Sequence, residues 1–125
     1  MIKLVNILSE IHVNKPIPKF RSNDDLANYM MRNPSFKKTL VDALWNTPEF
    51  KRDDDPSWNN VLNGWYKANI EQYTPYNENN EIMLDDNNDN RAYISINPKM
   101  LFTDPTSPEI YEIKLGPNTI YWQYY

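Results

Sequence analysis

Ile110-Tyr111-Glu112-Ile113-Lys114-Leu115-Gly116-Pro117-Asn118-Thr119-Ile120-Tyr121-Trp122-Gln123-Tyr124-Tyr125 is the stretch that decides the fold. Apolar and polar residues alternate through 110–115, and β-branched and aromatic residues fill 119–125; both are marks of strands. Gly116-Pro117-Asn118 between them is turn chemistry, so the two runs read as a hairpin. Upstream, 91–97 alternates too, with Ala92, Ile94 and Ile96 on one side and Tyr93 and Ser95 on the other. Asn97-Pro98 ends that run, and 104–108 is a proline-rich turn. Ile82-Met83-Leu84 reads as a short strand within an otherwise loop-like 74–90.

The first half has a different period. Ser22 with Asp25 three residues on resembles a capping box and opens a helix through about Arg32. Asn33-Pro34 pairs an N-cap with a proline at the first helical position, and Phe36, Leu40, Ala43 and Leu44 form the apolar face that follows. Thr47-Pro48 and Asp55-Pro56 repeat this grammar. The helix opened by Asp55-Pro56 carries Trp58, Val61, Leu62, Trp65 and Ile70 and is predicted to run to about Tyr73. Gly64 inside it costs roughly 1 kcal/mol against alanine, which a close helix crossing would explain. At the start of the chain, Leu4, Ile7, Leu8 and Ile11 share one face and predict a short amphipathic leader helix over 2–11. Pro16-Ile17-Pro18 predicts an extended connector.

The expectation is an α+β chain. A leader helix and connector occupy 1–21. One domain follows over 22–125, with about three helices in 22–73 and a small, mostly antiparallel sheet in 82–125 that closes with a C-terminal hairpin. The predicted core is Leu26, Met30, Phe36, Leu40, Leu44, Trp58, Leu62, Trp65, Ile94, Ile96, Ile113, Leu115 and Trp122.

Composition narrows the chemistry. The 125 residues include no cysteine, one histidine (His12) and two glycines. Thiol nucleophiles, Ser-His-Asp triads, zinc sites and glycine-rich phosphate loops lack their residues, and no cofactor is expected. A net charge of −4 argues against nucleic acid as a partner. Arg32, Lys37, Lys38, Lys51 and Arg52 are the one basic concentration. No apolar run is long enough for a membrane span, and no secretory signal is evident, so the expected compartment is cytoplasmic. Asn (18), Ile (11) and Lys (9) dominate, while Gly, Ala and Arg together number 10. Their codons point to an AT-rich genome such as that of a low-GC bacterium, its phage or a large DNA virus.

Three motifs carry candidate chemistry. Glu112-Ile113-Lys114 on a predicted strand resembles the E-x-K element of PD-(D/E)xK nucleases. That resemblance implies Mg²⁺ held by Glu112 and a water positioned by Lys114. The family's upstream Asp has no clear counterpart, and a turn and strand follow Lys114 where the family has a helix. As ordinary strand residues, Glu112 and Lys114 would simply face water. Asp85, Asn87 and Asp89 match the spacing of the first three ligands of EF-hand loops, although Asn90 replaces the turn glycine and Ile96 the bidentate Glu. Leu8-Ser9-Glu10 is similar to the L-x-E cleavage site ending the capsid-targeting leaders of T-even-type phage head proteins.

The aromatic end of the chain is the remaining lead. Alternation sends Ile120, Trp122 and Tyr124 one way and Tyr121, Gln123 and Tyr125 the other. If the helices cover the first set, Tyr121 and Tyr125, with Tyr93 or Tyr111 nearby, form a surface suited to protein contact. A sheet ending at the C-terminus also suggests an unpaired edge and homodimerisation through it. The functional expectation is a small non-enzymatic protein-binding or accessory protein in a host cytoplasm or virion, self-association included. The alternative is a metal-dependent nuclease or phosphodiesterase using Glu112 and Lys114.

Overall fold

The computed structural model describes residues 16–73, 81–103 and 105–125. The expected leader helix, His12 and the segment 74–80 lie outside these residues. Among the described residues, three helices come first: α1 (Asn23–Arg32), α2 (Pro34–Trp45) and α3 (Trp58–Lys67). Five strands follow: β1 (Glu71–Tyr73), β2 (Glu81–Asp85), β3 (Arg91–Ser95), β4 (Tyr111–Leu115) and β5 (Asn118–Tyr124). All pairs are antiparallel, in the order β1-β2-β3-β5-β4. The architecture is α+β with a C-terminal hairpin, as the alternation and capping signals imply. Among the described residues, no helix is long and apolar enough to cross a membrane.

The helix boundaries follow from local chemistry. Ser22 Oγ accepts from the Asp25 N–H (3.2 Å), and the Asp25 carboxylate accepts from the Arg21 N–H (3.0 Å). Asn33 serves the end of α1 more than the start of α2. Its backbone N–H (3.0 Å) and its Nδ2 (2.9 Å) both donate to the Tyr29 carbonyl, while α2 receives no side-chain cap and opens on Pro34. The predicted third helix is shorter than its apolar pattern suggests. It starts at Trp58 and ends at Lys67, not Tyr73. Ala68 is extended, and Glu71–Tyr73 pairs with β2 instead. A ladder with the next strand, β2, outweighs the helical period of Ile70. Gly64 also has a different explanation from the one expected. A Cβ there would collide with Asp86 of the β2–β3 turn, whose Cα lies 3.0 Å away. The close approach is helix to turn, not helix to helix.

One face of the sheet packs on the helices. Ile82, Leu84, Ala92, Ile94, Ile113, Ile120 and Trp122 meet Leu26, Leu40, Leu44 and Trp65 in the core. Phe50, between α2 and α3, sits at the centre of an aromatic group, with ring centroids 4.9 Å from Trp122, 5.5 Å from Tyr124 and 5.8 Å from Tyr111. The Trp122 indole donates to Thr47 Oγ1 (3.1 Å), which satisfies a buried polar group. Of the predicted core, Trp58, Leu62, Ile96 and Leu115 are only half-buried. Phe20 and Phe50, outside the predicted core, are buried.

The stretch before α1 is part of this fold. Asn118 Oδ1 accepts from the Phe20 N–H (2.8 Å), and its Nδ2 donates to the Pro18 carbonyl (2.8 Å). Residues 16–21 are thereby fastened to the β4–β5 turn. Gly116, at φ +59°, supplies the positive φ that a two-residue hairpin loop requires at its first position.

Candidate functional site

The sheet separates the expected tyrosine surface. Tyr111 is on the helix side, with its ring 4.9 Å from Trp122 and 5.8 Å from Phe50, so it cannot share a surface with Tyr121 and Tyr125. Burial raises its pKa, with smaller contributions from Glu109 and Glu49. Tyr93 is on the outer side but is buried, packed against Phe102 (5.8 Å) and Tyr125 (5.2 Å). The segment after the Pro98–Met100 turn of 3-10 helix covers this region. The Gln123 side chain accepts from the Phe102 N–H (3.1 Å) and donates to the Phe102 (2.7 Å) and Pro108 (3.1 Å) carbonyls. Tyr121 is half-buried, and Tyr125, 39% exposed, is the most open member of the set. Nor does the C-terminal strand present an edge. β5 lies between β3 and β4, and Tyr125 exchanges two backbone hydrogen bonds with Arg91 (2.8 and 2.9 Å). The outer strands of the sheet are β1 and β4.

Glu112 and Lys114 project from β4 on the side away from the helices, both exposed, with 3.5 Å between Lys114 Nζ and the Glu112 carboxylate. Lys114 also donates to Thr119 Oγ1 (3.3 Å). Among the described residues, no three His, Cys, Asp or Glu side chains gather as a metal site would require. In the β2–β3 turn, Asp85 accepts from the Asn87 N–H (2.7 Å) and pairs with Arg91 (3.0 Å), while Asp89 lies 3.9 Å from the same guanidinium. Asp86 accepts from the Asn88 and Asn90 amides (2.8 and 3.0 Å). These carboxylates close the turn and face a cationic side chain. Asp53 and Asp55 do similar work before α3, accepting from the Asp55 (3.1 Å) and Ser57 (2.9 Å) N–H groups.

A concavity among the described residues lies elsewhere. It is an open groove of about 620 Å³ between the end of α1 (Met30, Met31), the start of α2 (Pro34, Lys37, Lys38) and the end of α3 with its continuation (Tyr66, Ala68–Ile70). Met31 is 55% exposed, and it and Tyr125 are the two large hydrophobic residues left open among the described residues. Adjacent positions on a helix point about 100° apart, so Met30 takes the core and Met31 cannot follow. Lys37 reaches across the floor and donates to the Tyr66 (2.9 Å) and Ala68 carbonyls, where the end of the α3 dipole favours a cation. Partial burial lowers its pKa. Among the described residues no carboxylate pairs with it.

No protein-family model matches this chain, and no curated protein or solved structure is significantly similar to it.

The rim of the groove is a small polar network. Lys38 pairs with Asp42 (3.1 Å) and lies 5.1 Å from the centre of the Tyr66 ring. The Tyr66 hydroxyl donates to Asp42. That bond, helped by desolvation and the Asp42 charge, pushes the Tyr66 pKa up to about 12. The same bond lowers the Asp42 pKa, with Lys38 adding to the effect and desolvation opposing it. The groove is absent from the sequence expectations. Two traces of it were legible: the Met30-Met31 pair, and the basic residues Arg32, Lys37 and Lys38. Lys51 and Arg52 stand apart, with Arg52 donating to the Trp45 carbonyl (2.7 Å) over the Trp45 ring.

Proposed function

We propose that this chain is a small non-enzymatic protein-binding or accessory protein, encoded by a phage or another AT-rich genome and acting in the host cytoplasm or the virion. The observation that carries the reading is the groove under Met31. It combines exposed thioether and aliphatic surface with a few fixed polar groups, the composition of a contact site. Methionine suits such a surface because its flexible, polarizable side chain adapts to different partners. A displayed peptide library selected on the wild-type protein tests this. The expected result is enrichment of peptides that bind on the order of tenfold more weakly to Met31→Asp. No enrichment, or peptides indifferent to Met31→Asp, removes the groove as the binding site.

The nuclease reading rests on Glu112 and Lys114 sharing one exposed strand face. Plasmid incubated with Mg²⁺ or Mn²⁺ separates the two readings. Cleavage that disappears in both Glu112→Ala and Lys114→Ala would establish the enzyme in place of the binding protein.

A further inference from the structure

We propose that the groove takes an acidic segment of a partner protein, with an apolar side chain over Met31 and Ile70 and a carboxylate facing Lys37 and Lys38. This rests on the groove being the binding site, and it adds the chemistry of the occupant. The argument is charge complementarity. Among the described residues, both charged residues that line the groove are lysines, and the carboxylate at its rim, Asp42, pairs with Lys38. This happens on a chain whose net charge is −4, so the groove is a local reversal of the overall field. Lys37 holds two neutral carbonyls and has no counter-ion among the described residues. Lys38 has Asp42 as a partner, but its side chain is 65% exposed, and such surface pairs contribute little and exchange readily. Arg32 and Lys67, both exposed, end α1 and α3, two of the three helices that border the groove. Nucleic acid fits less well, because two lysines on an acidic protein offer few phosphate contacts.

Methyl-labelled methionine in the full-length protein gives the test. Met30 and Met31 report on the groove, while Met83 on β2 and Met100 beyond β3 serve as controls. The probes are a short peptide of leucine and glutamate, the same peptide with lysine for glutamate, and a single-stranded oligonucleotide. The expected result is movement of the Met30 and Met31 signals with the glutamate peptide alone. Lys38→Glu should weaken binding on the order of tenfold with the Met83 and Met100 signals unmoved. Equal binding of both peptides at Met31 overturns the charge inference while leaving the groove as a binding site. Movement with the oligonucleotide alone, or with no probe, overturns the inference outright. So does dilution-dependent movement, which would assign the groove to a second copy. Contacts from Met31 to Leu4 or Ile7 would assign it to the chain's own leader and overturn the inference as well.

Discussion

Two residues show opposing effects that magnitudes can resolve. Helix propensity alone favours Gly64→Ala in α3 by roughly 1 kcal/mol. The added methyl would meet both Cα and Cβ of Asp86, and a turn backbone yields less readily than a side-chain tip. Asp86 is held there by its bonds to Asn88 and Asn90. Overpacking of this kind costs about 1 to 3 kcal/mol, so Gly64→Ala should lower the urea midpoint, not raise it. Glu81 presents a different conflict. It is fully buried, neither carboxylate oxygen has a hydrogen-bond partner among the described residues, and desolvation raises its pKa above the ordinary 4.5. A carboxyl whose folded pKa is raised binds its proton more tightly in the folded state. Its stabilising contribution is complete below the unfolded pKa and declines as pH rises through the folded pKa. Glu81→Gln should therefore stabilise the protein at pH 7 by on the order of 1 kcal/mol, and the gain should vanish below about pH 4.5. Denaturation at the two pH values checks both the sign and the window.

At the scale of elements, the stretch before α1 and the C-terminal hairpin hold one another. Asn118 is buried and serves three backbone groups: the Phe20 N–H, the Pro18 carbonyl and the Leu115 carbonyl (3.1 Å). Asn118→Leu has nearly the right volume but leaves those groups unpaired. It should cost about 2 to 3 kcal/mol by denaturant unfolding. Hydrogen exchange should show the Phe20 amide losing protection in the variant. At the start of α1, Asn23 ties the helix to the end of β3, donating to Ser95 Oγ (3.0 Å) and accepting from the Ile96 N–H (2.9 Å). The hairpin itself was legible from Gly116-Pro117, because turn chemistry is local. The length of α3 was not, because β1 forms only where β2 is present to pair with it.

For the whole molecule, the position of β5 decides how the sheet can meet other chains. The strand richest in aromatics is interior, and the outer strand beside it is β4, with Glu112 and Lys114 exposed along it. Charged side chains on an outer strand discourage pairing with another sheet. Glu112→Val/Lys114→Val should consequently sediment as a larger species than wild type at matched concentration. Unchanged sedimentation would show that those charges do not guard the edge. Apart from 71–73, where a strand replaces the expected end of α3, the sequence by itself determined which segments are helix and which are strand, since capping residues, prolines and side-chain periodicity act within a few positions. It also determined that Trp122 and Tyr124 face opposite to Tyr121 and Tyr125, because the strand period is two. Only the tertiary structure decided that Tyr111 joins the inner aromatic group, that Tyr93 is covered, and that Met31, Lys37 and Tyr66 meet in a groove. Those outcomes depend on strand order and helix placement. Both arise from the packing of residues far apart in the chain, and no local pattern records them.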